Sequence, residues 1–220
     1  MNSLTVENYL KALFNLSNDK GEVNVNELSK HLNIKMPTVN SMMKKLFEQD
    51  FVHYESYKPV RLTEMGKKEA ALVIRKHRLT EIFLVEKMGF GWEEVHDIAE
   101  QVEHVRSVAF FDKMDQLLGH PKFDPHGAPI PDKEGKVVQR TYKSLSDCKV
   151  GEKVIFKSVT DSSKDFLKFL NKKDLSLGTE ITVTAIEEFD QSTTIDYSNH
   201  SAEILSKVAC QNMRVDKVGK

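Results

Sequence analysis

The hydrophobic period of this chain changes once, and that change limits what it can fold into. Ahead of "HPKFDPHGAPIPDKEG" apolar residues recur at helical spacing; beyond it they alternate in the manner of strands. The stretch itself is Pro, Gly and charge, which marks a boundary and linker near residues 119–146. The expected architecture is therefore mainly α with small β. It comprises an N-terminal winged helix-turn-helix over 1–63, a helical domain over 64–126, a linker over 127–150 and an SH3-like β-barrel over 151–220.

The winged helix-turn-helix rests on the order of elements. "LTVENYLKALFNLSND" carries apolar residues near helical period, and "GEVNVNELSKHLNI" predicts a short helix capped by Asn26. "MPTVNSMMKKLFEQDF" opens with Pro37 in its first turn, where a missing N–H costs nothing, and turns Val39, Met43 and Leu46 inward. "FVHYESYKPVRLTEMGKK" then reads as two strands around a turn near Ser56–Pro59, with Thr63 capping the next helix. A third helix with small polar and basic residues on its open side suits the major groove of double-stranded operator DNA. Thr38, Asn40 and Ser41, beside Pro37, would reach base edges or phosphates; Lys35, Lys44, Lys45, Lys58 and Arg61 would hold the backbone.

Charge divides along the chain in the same sense. Residues 30–68 hold eight Lys and Arg against four Asp and Glu, whereas residues 76–126 hold six against ten. A basic segment followed by an acidic one suits holding phosphate and then holding cations. Two cysteines, Cys148 and Cys210, make neither a disulfide framework nor a thiolate zinc site. With no signal peptide and no apolar run of transmembrane length, the chain is expected to be cytoplasmic, with no membrane partner.

The acidic segment contains the chemistry. In "VHDIAEQVEHV" the side chains of His96, Glu100, Glu103 and His104 fall within about 100° of arc if the stretch is one helix. His77 and Glu81 lie one turn apart on the preceding long helix, which is expected to run from Glu64 toward Met88. Two helices presenting ligand types at one-turn spacing are a usual way to build a metal site. All six donors are nitrogen or oxygen, which suits Mn²⁺ or Fe²⁺, with Zn²⁺ or Co²⁺ able to bind in vitro. Imidazole ligation requires the neutral ring, so affinity is expected to fall below about pH 6.5. The next helix, "SVAFFDKMDQLLG", presents Val108, Phe111, Met114 and Leu118 as an apolar edge, part of which is expected to be a homodimer seam. An enzyme is not expected, because the chain has no H-E-x-x-H motif, nucleophile elbow or phosphate-binding glycine loop.

"RKHRLTEIFLVEKMGFGWEEVHDIAEQVEHV" and "DPHGAPIP", following the winged helix, resemble the diphtheria-toxin-repressor family, its manganese-responsive branch most closely. The resemblance implies a homodimeric, metal-activated transcriptional repressor controlling metal-homeostasis genes, with a ferrous-transport-protein-A-like tail. It implies a primary site of Glu100, Glu103 and His104 with Asn8 of the first helix. It implies a second site of His77, Glu81 and His96, which can borrow Asp124, His126 and, more weakly, Asp161. A carboxylate at Glu100 goes with manganese-responsive members, and a cysteine there with iron-responsive ones. The alternatives are an Fe²⁺-responsive regulator of the same family and a winged-helix regulator sensing a non-metal ligand.

The chain also departs from the branch's pattern. Asn8 stands where an aspartate is usual, and Lys11 where some members have a glutamate. Lys11 is expected to repel a cation and to exclude a closely spaced metal pair there. Glu7, next to Asn8, is expected to point about 100° away.

Overall fold

The computed structural model describes residues 3–138 and 140–218. The chain forms two compact units, one of Met1–Thr80, Ala99–His120 and Ile130–Val138, the other of Glu81–Ile98, Pro121–Pro129 and Gln139–Lys220.

In the first unit, Ser3 accepts a hydrogen bond from the Val6 N–H and starts helix α1 (Leu4–Leu16). Strand β1 (Glu22–Val23), helix α2 (Val25–Leu32) and helix α3 (Met36–Glu48) follow. Helix α2 begins two residues earlier than expected, so Asn24, not Asn26, occupies the N-cap, and its side chain makes no capping bond. Asn33, at a left-handed φ of 53°, ends α2 and turns the chain into α3. The apolar sides of the three helices close one core, with Val6, Tyr9, Leu10 and Leu13 of α1 against Leu28, Val39, Met43 and Leu46. The wing is a three-stranded antiparallel sheet of order β1-β3-β2, with β2 (Val52–His53) and β3 (Val60–Leu62). Sequence periodicity missed β1, because two residues are too few to alternate.

Thr63 accepts the Gly66 N–H at 3.0 Å and caps helix α4 (Glu64–Met88). Helix α5 (His96–Val102) and helix α6 (Val108–Leu117), capped by Ser107, follow. The ligand row is therefore not one helix. The Glu103 N–H still bonds the Ala99 carbonyl at 2.9 Å, but His104 lies in the turn beyond α5. Nor is the apolar edge of α6 a single face: Phe111 and Met114 are buried, whereas Val108 is 74% exposed.

The second unit holds a six-stranded antiparallel sheet of order β4-β9-β5-β6-β7-β8. Its strands are β4 (Lys143–Ser144), β5 (Lys153–Val159), β6 (Glu180–Ile186), β7 (Thr193–Tyr197), β8 (His200–Leu205) and β9 (Met213–Lys217). Helix α7 (Lys164–Asn171) is the expected insert between β5 and β6. Helix α8 (Lys207–Asn212) is a correction, since "AEILSKVACQNMRV" reads as strand throughout. Ser206 caps it by accepting the Ala209 N–H, and Ala209 and Cys210 are buried on its inner side. Cys148 and Cys210 are free thiols in this SH3-like core. No helix among the described residues is long and apolar enough to cross a membrane.

Candidate metal centres and nucleic-acid face

The first cluster lies wholly in the first unit and centres on Glu103, whose side chain is fully buried. A carboxylate oxygen can only accept, so the groups around it are donors. Oε2 of Glu103 takes the Lys11 ammonium at 2.7 Å and the His77 Nδ1–H at 2.5 Å. Oε1 of the same carboxylate is buried and has no hydrogen-bond donor. His104 presents Nε2 to it at 3.7 Å, while the His104 Nδ1–H donates to Glu7 at 2.7 Å. Pinning the proton on Nδ1 leaves the lone pair of the neutral ring on Nε2, facing Oε1. Two acceptors confronting each other suit a cation with ligand bonds of about 2 Å. Asn8 Oδ1, on α1, is another buried acceptor with no donor. This donor set fits a divalent metal.

One expectation fails here. Glu7 does not point away: its long side chain reaches His104, because His104 sits in the turn after α5 and not on the helix. Lys11, expected to repel a cation and to exclude a metal pair, lies in the site itself. Its ammonium is bound inside the cluster, 2.5 Å from Glu100, 2.7 Å from Glu103 and 3.2 Å from His77 Nδ1.

The second cluster lies wholly in the second unit, where Glu81, Asp124 and His126 are all buried and bring one ligand atom each to within 4.8 Å of the others. Glu81 faces His126 Nδ1 at 3.7 Å and His96 Nδ1 at 3.5 Å. The His126 Nε2–H donates to the Trp92 carbonyl at 2.9 Å, so its lone pair again faces a carboxylate. Burial pulls the His126 pKa down, but the hydrogen bond and charge of Glu81, with the Asp124 charge and the Trp92 carbonyl, outweigh it and raise the value. The site thus favours a positive charge. Asp124 Oδ1 accepts the N–H groups of His126 and Ala128 at 2.8 and 2.9 Å, which fixes the "DPHG" turn. Gly127 has φ +83°, and a Cβ there would lie 2.2 Å from the Lys157 carbonyl, so only glycine lets this turn seat on β5. Asp161 is outside this cluster; it accepts the Ser163 N–H at 2.8 Å ahead of α7.

The candidate DNA-binding residues also come together. Lys35, Pro37, Thr38, Ser41, Lys44 and Lys45 are exposed along α3, and Lys58 and Arg61 are exposed on the wing. Asn40 is half-buried because its Oδ1 accepts from the Tyr54 hydroxyl at 3.3 Å, tying α3 to the wing. A groove of about 690 Å³ runs between them, lined by Asn40, Lys44 and Lys58 together with Lys30 and Tyr57. Sequence reasoning missed the last two. Tyr57 is fully exposed at the wing tip, at φ +67°.

Three family descriptions match almost end to end. They are the iron-dependent repressor N-terminal DNA-binding domain over 1–60, the iron-dependent repressor metal-binding and dimerisation domain over 63–132, and the FeoA domain over 143–217. The iron-dependent repressor IdeR of Mycobacterium tuberculosis is 33% identical over 133 residues, 60% of this chain and 58% of its own length. The chain thus spans little more than half of that relative. The regulator MntR of Oceanobacillus iheyensis is 31% identical over 120 residues, 54% of this chain and 81% of its own. A solved manganese-dependent transcriptional repressor in complex with manganese superposes with a TM-score of 0.86 at 31% identity, covering 97% of this chain and all of that one. With its winged helix, its two carboxylate–histidine clusters and its FeoA-like sheet, the chain belongs to the diphtheria-toxin-repressor family of metal-dependent transcriptional regulators.

Proposed function

We propose that this chain is a cytoplasmic, homodimeric repressor that binds operator DNA when loaded with Mn²⁺ and so controls metal-homeostasis genes, and that it is not an enzyme. One observation carries the reading. In each unit a histidine has one nitrogen pinned as a donor while the other faces a buried carboxylate at 3.7 Å. Glu103, His104 and Asn8 would hold the ion in the first unit, with Glu7 orienting His104. Glu81, Asp124 and His126, joined by His96, would hold one in the second. Nitrogen and oxygen donors without a thiolate favour Mn²⁺ over softer ions. Both cysteines lie in the core of the C-terminal sheet, so neither competes.

A bound divalent ion would supply the positive charge that joins α1 to the turn after α5. The residues do the rest. The buried face of α1 shares a core with Val39, Met43 and Leu46 of α3, so holding α1 holds the helix that presents Thr38, Asn40 and Ser41. In a homodimer the two copies of α3 must match the spacing of two half-sites. Phe110 and Leu117, exposed two turns apart on one side of α6, would supply an apolar strip for the dimer seam. Metal and DNA binding are then coupled and reciprocal, worth about 1–3 kcal/mol, or roughly 5–150-fold in affinity.

Selection of duplexes from a random library tests this reading. It predicts a palindromic site enriched in Mn²⁺ and lost in a chelator. Equal enrichment in both conditions would favour a regulator that senses something other than metal.

A further inference from the structure

We infer that Lys11 is a tethered cation, permanently holding one of two cation positions in the Glu103 cluster, so that this cluster takes a single divalent ion. The inference rests on the metal reading proposed above and deepens it. An ammonium has three N–H donors and no acceptor. Lys11 directs two of its own at Glu100 Oε1 and Glu103 Oε2, 2.5 and 2.7 Å away. Carboxylates converging on one point are what a metal ion collects, and here the point is filled by the protein's own charge. The lysine side chain is only 12% exposed, so this is no solvated surface pair.

The two oxygens of Glu103 divide the work. Oε2 is committed to Lys11 and His77, whereas Oε1 has no donor and confronts His104. One carboxylate thus separates a position already filled by an ammonium from one fit for a metal.

Charge balance gives the same count. Glu7, Glu100 and Glu103 bring three carboxylates against the single ammonium of Lys11. One divalent ion cancels the remainder; a second would leave two uncompensated positive charges in a largely buried site, which is costly. The lysine also has a consequence before any metal arrives. It joins α1 to Glu100 and Glu103 in the metal-free chain, so metal tightens a linkage that already exists.

The test compares full-length wild type, Lys11→Met and Lys11→Arg by two readouts. These are Mn²⁺ bound per chain, counted from the free-ion electron paramagnetic resonance signal, and thermal melting with and without Mn²⁺. Purification in Mn²⁺ keeps the Met variant folded for counting. The expected result is one additional Mn²⁺ per chain in Lys11→Met and none in Lys11→Arg. Metal-free Lys11→Met should melt about 5–15 °C below wild type, a loss that Mn²⁺ restores. An unchanged count in Lys11→Met, or metal-free melting equal to wild type, would overturn the inference. If wild type binds Mn²⁺ and Lys11→Met binds no more, only the role of Lys11 falls. If neither binds it, the metal reading falls as well.

Discussion

Glu103 shows what one buried residue can decide. Its carboxylate has no solvent exposure, holds two donors on one oxygen and leaves the other facing an imidazole. Glu7 acts at one remove. By accepting the His104 Nδ1–H it selects which nitrogen faces the site, and such orienting partners typically carry 10–100-fold in metal affinity. Glu7→Gln should therefore weaken Mn²⁺ binding in the first unit about tenfold without abolishing it, as read by calorimetry on a His126→Ala background. No change would mean that Glu7 is a bystander. Lys11 was expected from the sequence to exclude a metal pair, but its seat inside the cluster and the reach of Glu7 to His104 were not legible there. Angular spacing on an ideal helix points Glu7 away, and the sign of Lys11's charge suggests repulsion. Neither argument sees that His104 has left the helix or that a long ammonium stem can fold into a nest of acceptors.

At the scale of elements, helices and their buried stripes could be read from periodicity because α1, α3 and α4 are long enough to show it. What escaped is short or masked. Strand β1 has two residues, and α8 spans only six, too few to show a helical period between two strands. The end of α5 at Val102 is hidden because the Glu103 N–H keeps its helical bond for one more residue. The turn at 124–127 has its own reporter. Trp92, the only tryptophan, stacks on His126 with ring centroids 6.0 Å apart. Paramagnetic Mn²⁺ held by His126 should quench its fluorescence, and His126→Ala should remove that response. The His126 pKa is raised, so its proton competes with metal from above the reference value of about 6.5. The midpoint of quenching should therefore move to higher Mn²⁺ as pH falls through neutrality; a midpoint flat from pH 8 to 5.5 would exclude His126 as the ligand.

In the whole molecule the proposed switch lies in the first unit, where metal and DNA would be read together. α1 touches the metal cluster on one side and shares the winged-helix core on the other, so the switch needs no long pathway. The Glu81 cluster of the second unit would offer a second place for a metal ion under the same reading. The most direct measurement is fluorescence anisotropy of a selected operator duplex with the full-length chain, titrated with Mn²⁺, for wild type and Glu103→Ala. The account predicts that Mn²⁺ tightens wild-type binding roughly 5–150-fold and leaves Glu103→Ala at its metal-free affinity. Tightening of equal size in Glu103→Ala would contradict it.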